Sequence, residues 1–125
     1  MNKHHRQSRH DDLVHDLLYR PYKMNLSTSD ILIRTSEYEM LHGCDIYVAP
    51  DIYFLMKDGK HLFYEVKTST SKACMNKGYK QCQKVHDWMN EHLETPDVQT
   101  YLVYPRNYKK TLVDLIVEYV PNKNT

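Results

Sequence analysis

Two acidic residues and a lysine lie at the ends of an apolar stretch in the middle of the chain: Asp51 precedes the stretch, and Glu65 and Lys67 end it. Side chains alternate along a β-strand, so Glu65 and Lys67 would share one face of a strand. Two carboxylates buried side by side are costly unless a cation lies between them. Such oxygen ligands favour Mg²⁺ or Mn²⁺ over Zn²⁺, and the Val66 carbonyl could add another ligand. These residue types therefore predict a divalent-metal site, provided that the fold brings Asp51 to Glu65.

The residues between the two acids predict a β-hairpin, because an Asp-Gly pair separates two runs of β-branched and aromatic residues. A two-residue turn would place Asp51 opposite Val66, on the face away from Glu65. A three-residue loop over 57–59, with Gly59 in a left-handed bulge, would instead place Asp51 directly opposite Glu65. We predict the three-residue loop, which brings all three charged groups together.

The elements around the hairpin follow from periodicity and turn residues. Both faces of the hairpin are apolar, which predicts a central position in a sheet covered by helices on both sides. We expect one domain over 9–120, with a disordered basic tail over 1–8 and a frayed tail over 121–125. The β-branched residues over 115–120 allow either a helix or a strand there. The other predicted elements are a helix over 9–19, strands over 31–34, 45–48 and 98–104, a helix over 77–92 and a C-terminal helix over 107–120.

The composition limits the partners that the chain would bind. Its 125 residues include 17 basic and 16 acidic ones, a formal net charge of +1. A protein that binds duplex DNA over a wide surface is usually more basic. Any DNA-binding face of this chain would therefore be a small surface, or one that dimerisation doubles. The three cysteines lack zinc-site spacing, which fits free thiols in a reducing, intracellular compartment. The sequence has no apolar run of transmembrane length and no signal-peptide pattern, so we expect no membrane association.

The central stretch resembles the signature of the PD-(D/E)xK nuclease superfamily. The matching residues are Pro50-Asp51, then 52–64, then Glu65-Val66-Lys67. The strand before it, over 31–36, and Thr68-Ser69 after it are similar to the small archaeal Holliday-junction resolvases of that superfamily. With the flanking helices counted, the resemblance covers roughly residues 10–105. It implies an α/β fold with a restriction-endonuclease-like core, in which a central mixed four-stranded sheet is flanked by helices in the order αβββαβ.

The resemblance implies a metal-dependent DNA endonuclease that hydrolyses phosphodiester bonds with Mg²⁺ or Mn²⁺. Asp51 and Glu65 would hold the cation, and Lys67 would orient the attacking water or stabilise the transition state. A narrower implication is a Holliday-junction resolvase, a symmetric homodimer that nicks paired strands of a four-way junction. The alternative is a non-catalytic nucleic-acid-binding or interaction domain in which the same acids are structural. Cleavage of RNA also stays open.

The resemblance also assigns roles to residues of the two helices beside the hairpin. The first helix often carries an acid that supports the water shell of the metal. Asp12 is favoured for that place here, with Asp11 and Asp16 as the alternatives, although the usual residue is Glu. The helix after the hairpin commonly supplies a Gln or Lys near the scissile phosphate, and Gln81 and Gln83 are both candidates. Residues expected to contact the nucleic-acid backbone are Thr68, Ser69, Lys72, Lys80 and Lys84.

Asp45 is the alternative to Asp51 as the first metal ligand. It also lies upstream of Glu65, and it follows Gly43 closely, as the signature acid of the superfamily often follows a glycine. If Asp45 were the ligand, the chain between it and the hairpin would have to bend at Pro50. We favour Asp51, because it lies in a continuous hairpin with Glu65 and needs no bend.

Overall fold

The computed structural model describes residues 3–107 and 114–124, with side chains described from Arg9 onward. Its elements are α1 (Lys3–Tyr19), β1 (Ile31–Ser36), β2 (Met40–His42), β3 (Asp45–Val48), β4 (Ile52–Met56), β5 (His61–Val66), α2 (Lys72–His92), β6 (Val98–Pro105) and β7 (Leu115–Val120). Two short 3-10 helices, Pro21–Met24 and Thr28–Asp30, connect α1 to β1. Within these described ranges, neither α-helix is long and apolar enough to cross a bilayer.

The main sheet has five strands in the order β1-β4-β5-β6-β7. β5 and β6 run parallel, and the other neighbouring pairs run antiparallel. A parallel pair needs a crossover connection, and α2 supplies it. β2 and β3 form a separate two-stranded hairpin. The α/β class and the mixed sheet agree with the prediction, whereas the predicted four-stranded sheet is wrong, because β7 adds a fifth strand.

β7 replaces part of the C-terminal helix that the sequence predicts over 107–120. Residues 115–120 form a strand, and residues 108–113 of that predicted helix lie outside the described residues. The apolar spacing here fits a helix and a strand alike, so pairing of the whole of β7 with residues 100–105 of β6 decides between them. Side chains of β7 alternate accordingly: Val117 packs on the α1 side of the sheet and Val120 on the α2 side.

The β4-β5 hairpin closes with the three-residue loop that the sequence predicts. The Met56 amide donates to the Lys60 carbonyl at 2.9 Å, and the Gly59 amide donates to the Met56 carbonyl at 3.0 Å. Gly59 has a φ of +93°, in the left-handed region that glycine adopts without strain. The ladder keeps this register as far as Ile52, the first residue of β4, which sets Asp51 beside Glu65.

Both faces of the hairpin are covered, as its apolar pattern predicts. On one face, Phe54 packs in a buried cluster with Leu13 of α1. On the other face, Phe63 packs with Val85 and Met89 of α2. The hairpin is therefore a central element of the sheet, and Glu65 is an acidic residue buried on its α2 side.

Both helices begin earlier than the sequence predicts. α1 begins at Lys3, so most of the predicted disordered tail is helical; the added turn contains neither Pro nor Gly. α2 begins at Lys72 rather than at residue 77. The Ser71 hydroxyl caps this earlier start by accepting a hydrogen bond from the Cys74 amide at 3.3 Å.

The C-terminal segment 121–124 is attached to α2, where the sequence predicts a frayed tail. The Gln83 side-chain amide donates to the Asn122 side-chain oxygen at 2.8 Å. The Gln83 oxygen accepts a hydrogen bond from the Lys123 amide at 2.9 Å. Gln83 therefore anchors this segment rather than facing the charged end of the hairpin, which corrects its predicted place near the scissile phosphate.

Candidate active site at the end of the hairpin

Four side chains predicted to act together meet at the end of the hairpin. The Asp51 amide donates to Glu65 Oε1 at 3.2 Å, and Lys67 Nζ lies 3.7 Å from Glu65 Oε2. Lys67 Nζ also donates to Gln81 Oε1 of α2 at 2.9 Å. The side chains of Asp51, Glu65 and Lys67 are only 15%, 7% and 11% exposed. The group is thus a largely buried cluster at the rim of the sheet rather than a surface ion-pair ladder.

The main chain fixes the Asp51 carboxylate at this position. Its Oδ2 atom accepts a hydrogen bond at 2.8 Å from the amide of Val66, the last residue of β5, and Asp51 itself lies one residue before β4. The Asp51 carbonyl accepts from the Glu37 amide at 3.0 Å, and Glu37 has a positive φ of 51°. A non-glycine residue in this region is uncommon and needs support from its surroundings. The loop after β1 therefore helps to hold Asp51. Because Glu37 makes this contact with its backbone amide, its residue type does not indicate a role in the site.

α1 contributes His10, a residue of the site that sequence reasoning missed. His10 Nε2 lies 3.3 Å from Asp51 Oδ2, and His10 Nδ1 lies 3.4 Å from Asp11 Oδ1. The hydrogen bond to Asp51 raises the pKa of the His10 imidazole to about 9, although burial acts in the opposite direction. His10 also lines a cavity of about 200 Å³, together with Asp11, Glu37 and Asp51. The cavity gives a small ligand access to the Asp51 side of the site.

The surroundings of the Glu65 carboxyl favour its protonated form. Burial, and after it the Asp51 carboxylate, raises the pKa of Glu65 to about 8, against the opposing effect of the Lys67 ammonium. Two adjacent carboxylates share one site with difficulty unless positive charge is added between them. A cation bound at Asp51 and Glu65 would supply that charge and would favour ionised Glu65.

The metal-free protein is expected to lose stability as the pH rises from about 4.5 to about 9. Folding raises the pKa of both Glu65 and His10, so the folded state binds these protons more tightly than the unfolded state does. The stabilisation is therefore present at lower pH and is lost as the pH passes the folded-state pKa values. Urea denaturation in chelator at a series of pH values measures this slope. It should flatten in Glu65→Gln and in His10→Gln, and an unchanged slope in both variants would contradict the assignment.

Gly78 allows α2 to approach the site closely. A Cβ atom at this position would lie 2.7 Å from Leu102 Cδ2 and 3.1 Å from Lys67 Cε. Leu102 is fully buried, so it has little room to move, whereas the end of the Lys67 side chain would have to shift. Gly78 therefore preserves the space in which Lys67 reaches Glu65 and Gln81.

Gly78→Ala is expected to lower the free energy of unfolding by about 1 kcal/mol, because overpacking outweighs the gain in helix propensity. It should also lower any activity that depends on Lys67 by a larger factor than this small loss of stability explains. Chemical denaturation measures the first effect, and the rate of any cation-dependent reaction at this site measures the second. Asn76→Ala, at an exposed position of the same helix, is the matched control. A stabilised, fully active Gly78→Ala variant would contradict the close approach.

The donor set of this cluster fits a hydrated Mg²⁺ or Mn²⁺ ion. Asp51 and Glu65 bring two carboxylates into one cluster, in which the Asp51 carboxylate raises the pKa of Glu65. Mg²⁺ commonly uses one or two carboxylates while keeping several waters. In the described part of the chain, no group of three or more His, Cys, Asp or Glu side chains is placed to hold a metal ion. The cluster therefore fits a cation that is bound partly by water or substrate, and does not fit a closed protein cage.

Two predicted metal ligands lie elsewhere. Asp12 is exposed on α1, and it is His10 of this helix that contacts Asp51. Asp45 is exposed at the first position of β3, in the separate two-stranded hairpin. Between the two alternatives for the first acid, the fold places Asp51 beside Glu65. The carbonyl of Val66 stays a predicted ligand, and the Val66 amide is the group that contacts Asp51.

The residues predicted to contact a nucleic-acid backbone are spread along the start and the outer side of α2. Thr68 is half-buried, and Ser69 accepts a hydrogen bond from the Ser71 amide at 3.3 Å in the turn that precedes the helix. Lys72, Lys80 and Lys84 are exposed. The polar run after Lys67 thus shapes the start of α2, and its contacts with phosphate stay a prediction.

The chain was compared with protein-family models, with curated proteins and with solved structures, and none of the three comparisons found a match.

Proposed function

We propose that the chain is a metal-dependent endonuclease that hydrolyses phosphodiester bonds with a site of the PD-(D/E)xK type. The observation that carries the proposal is the position of Asp51 and Glu65, which lie side by side at the end of a hairpin that is apolar on both faces. A buried pair of carboxylates lowers the stability of a fold. Such a pair therefore indicates that the two residues bind a cation or take part in a reaction. Lys67, in contact with Glu65 and Gln81, completes the set of groups that such a site requires.

The residues of the site have separate roles in the proposed reaction. A divalent cation, when bound, supplies an acidified water and positive charge close to the scissile phosphate. Asp51 and Glu65 hold the cation, and the Val66 amide fixes the orientation of the Asp51 carboxylate. Lys67 is held by Gln81 with its ammonium towards the carboxylates, where it orients the attacking water and stabilises negative charge that develops on the phosphate.

The substrate proposed for this site is DNA, and the narrower proposal is a four-way junction cleaved by a homodimer inside the cell. A formal net charge of +1 favours a small contact surface for each subunit, and a symmetric dimer doubles that surface. A junction also offers two equivalent strands to two equivalent sites.

One observation favours a second candidate function, a non-catalytic nucleic-acid-binding or interaction domain. His10 and Lys67 already place positive charge beside Asp51 and Glu65. Among the side chains that the structure describes, every buried polar atom has a hydrogen-bond partner. The cluster is therefore satisfied without a cation, as a purely structural cluster would be.

Cleavage of a panel of nucleic acids distinguishes these functions. A labelled four-way junction, its linear duplex arms, a single DNA strand and an RNA strand are incubated with the chain in Mg²⁺, in Mn²⁺ or in chelator. We expect cation-dependent cleavage that chelator abolishes. Paired nicks on the junction alone indicate a resolvase, whereas cleavage of linear strands retains the nuclease and excludes the narrower proposal. Binding without cleavage of any substrate supports the non-catalytic domain.

A further inference from the structure

A second cavity, of about 120 Å³, lies on the α2 side of the hairpin, and aromatic rings form most of its wall. The buried rings of Tyr53 and Phe63 are nearly stacked, with centroids 4.7 Å apart. Tyr38 packs against Tyr53 with a centroid distance of 4.9 Å. Trp88 and His92 of α2 add a stacked pair to the lining, with ring centroids 4.0 Å apart. The cavity therefore offers the faces and edges of several rings to a flat ligand.

His61 gives this cavity a polar group. Its Nδ1 atom lies 2.8 Å from the Tyr53 hydroxyl oxygen, so the second ring nitrogen can bond the edge of a ligand. Burial lowers the pKa of His61, which keeps the imidazole neutral and able to donate or accept. The Trp88 indole N–H donates to the Leu41 carbonyl at 3.0 Å, which fixes the ring at the cavity wall. A flat apolar site with one polar group suits a heteroaromatic ring.

The cavity lies close to the candidate active site along the same face of the hairpin. Phe63 precedes Glu65 by two residues in the chain, and Tyr53 follows Asp51 by two residues. Side chains two apart share a face, and the spacing between them is about 7 Å along the strand. A strand cleaved at Asp51 and Glu65 could therefore place a neighbouring base at the cavity.

Two exposed lysines connect the two sites along α2. Lys80, Lys84 and Trp88 are spaced four residues apart, so they lie in one row on the helix surface. Lys80 is adjacent in the chain to Gln81, which contacts Lys67 of the candidate active site. Lys84 Nζ lies 5.0 Å from the centre of the Tyr47 ring. The row thus leads from the acidic cluster to the aromatic cavity and carries the positive charge that a phosphate backbone needs.

We infer that the aromatic cavity binds an unpaired nucleobase of a single-stranded segment, while Lys80 and Lys84 contact the backbone between that base and the cleavage site. The inference rests on the proposed nuclease function and narrows its substrate to nucleic acid with an unpaired nucleotide beside the cut. Stacking on aromatic side chains is the usual way in which proteins hold unpaired bases, and it tolerates any base.

Trp88 provides a direct test, because it is the single tryptophan of the chain. Its fluorescence is followed in chelator while the full chain is titrated with a single-stranded DNA oligonucleotide, its RNA counterpart, an abasic strand of the same length and a blunt duplex. We expect the single strands to quench Trp88. The abasic strand should bind, as judged by anisotropy of a labelled strand, without quenching, and the duplex should quench weakly. A difference in Trp88 quenching between the DNA and the RNA strand would identify the nucleic acid that supplies the base.

Variants test the two halves of the inference separately. Tyr38→Ala should weaken binding of the single strand about tenfold through lost stacking. Tyr22→Ala, at an exposed tyrosine near α1, is the matched control and should bind as wild type does. The double variant Lys80→Gln and Lys84→Gln keeps the cavity intact. It should lower the slope of log affinity against log salt by about 1.4 and leave quenching at saturation unchanged.

The outcomes separate this inference from the proposed function. Cation-dependent cleavage without quenching of Trp88 would retain the nuclease and overturn the base site. Quenching of Trp88 without cleavage of any substrate would support the base-binding site and would exclude the proposed nuclease function. Equal quenching by the single strand, the abasic strand and the duplex would overturn the inference, because a base would then have no part in the contact.

Discussion

Glu65→Gln is expected to lower the rate of cation-dependent cleavage by about a thousandfold or more. Glu65 supplies one of two carboxylates that would hold the cation, and a neutral amide weakens that contact by several kcal/mol in the transition state. The amide has nearly the same shape, and its oxygen can still accept the Asp51 N–H that now bonds Glu65 Oε1. The loss should therefore appear in single-turnover cleavage rates and not in the folded structure.

The matched control for this substitution is Glu94→Gln, which changes an exposed acid just after α2. It makes the same chemical change outside the cluster and should cleave at the wild-type rate. Far-ultraviolet circular dichroism and chemical denaturation of both variants show whether the fold is retained. A Glu65→Gln variant that is folded and cleaves at the wild-type rate would exclude Glu65 from the reaction.

Lys67→Met is expected to reduce the cleavage rate by about a hundredfold while leaving cation affinity within a few-fold of wild type. Lys67 contacts Glu65 at 3.7 Å and Gln81 at 2.9 Å, so its ammonium lies where it can act on the water and the phosphate. The Lys67 ammonium and a bound cation repel each other, so removing Lys67 does not weaken cation binding through lost charge. Parallel measurements of the cleavage rate and of cation binding separate these two effects.

Lys57→Met serves as the control for Lys67, because Lys57 is exposed in the hairpin loop at the other end of the strands. Lys67→Met also removes the group that lowers the pKa of Glu65, so the protonated form of Glu65 is favoured further. Because Glu65 then holds a proton, Lys67→Met leaves no unpaired buried carboxylate, and we expect the variant to fold. Loss of cation binding together with activity would show that Lys67 supports the metal site instead of the chemical step.

The sequence was sufficient to predict the hairpin and its register. The Asp-Gly turn indicates the hairpin, and of the two possible loops the three-residue one is favoured because it brings Asp51, Glu65 and Lys67 together. Local rules were enough here because turn type and side-chain alternation fix the partner of every residue in a hairpin. The meeting of Asp51, Glu65 and Lys67 follows from that register alone.

The parts that were not predicted depend on contacts between distant segments. His10 reaches Asp51 from a helix far away in the sequence, and nothing in its neighbourhood indicates that contact. Gln81 and Gln83 are alike in type, and only the packing of α2 decides that Gln81 faces Lys67. β7 was predicted as a helix because its apolar residues satisfy both periodicities until a partner strand is present.

The proposed function depends on one property, the binding of a divalent cation by Asp51 and Glu65 together. Mn²⁺ binding can be measured by electron paramagnetic resonance of the free ion, with Mg²⁺ as competitor, for wild type, Glu65→Gln and Glu94→Gln. We predict a single site in wild type and in Glu94→Gln that weakens as the pH falls below about 8, where Glu65 gains its proton. The site should be lost in Glu65→Gln. Equal binding by wild type and Glu65→Gln, or no binding by wild type at any pH, would contradict the proposal.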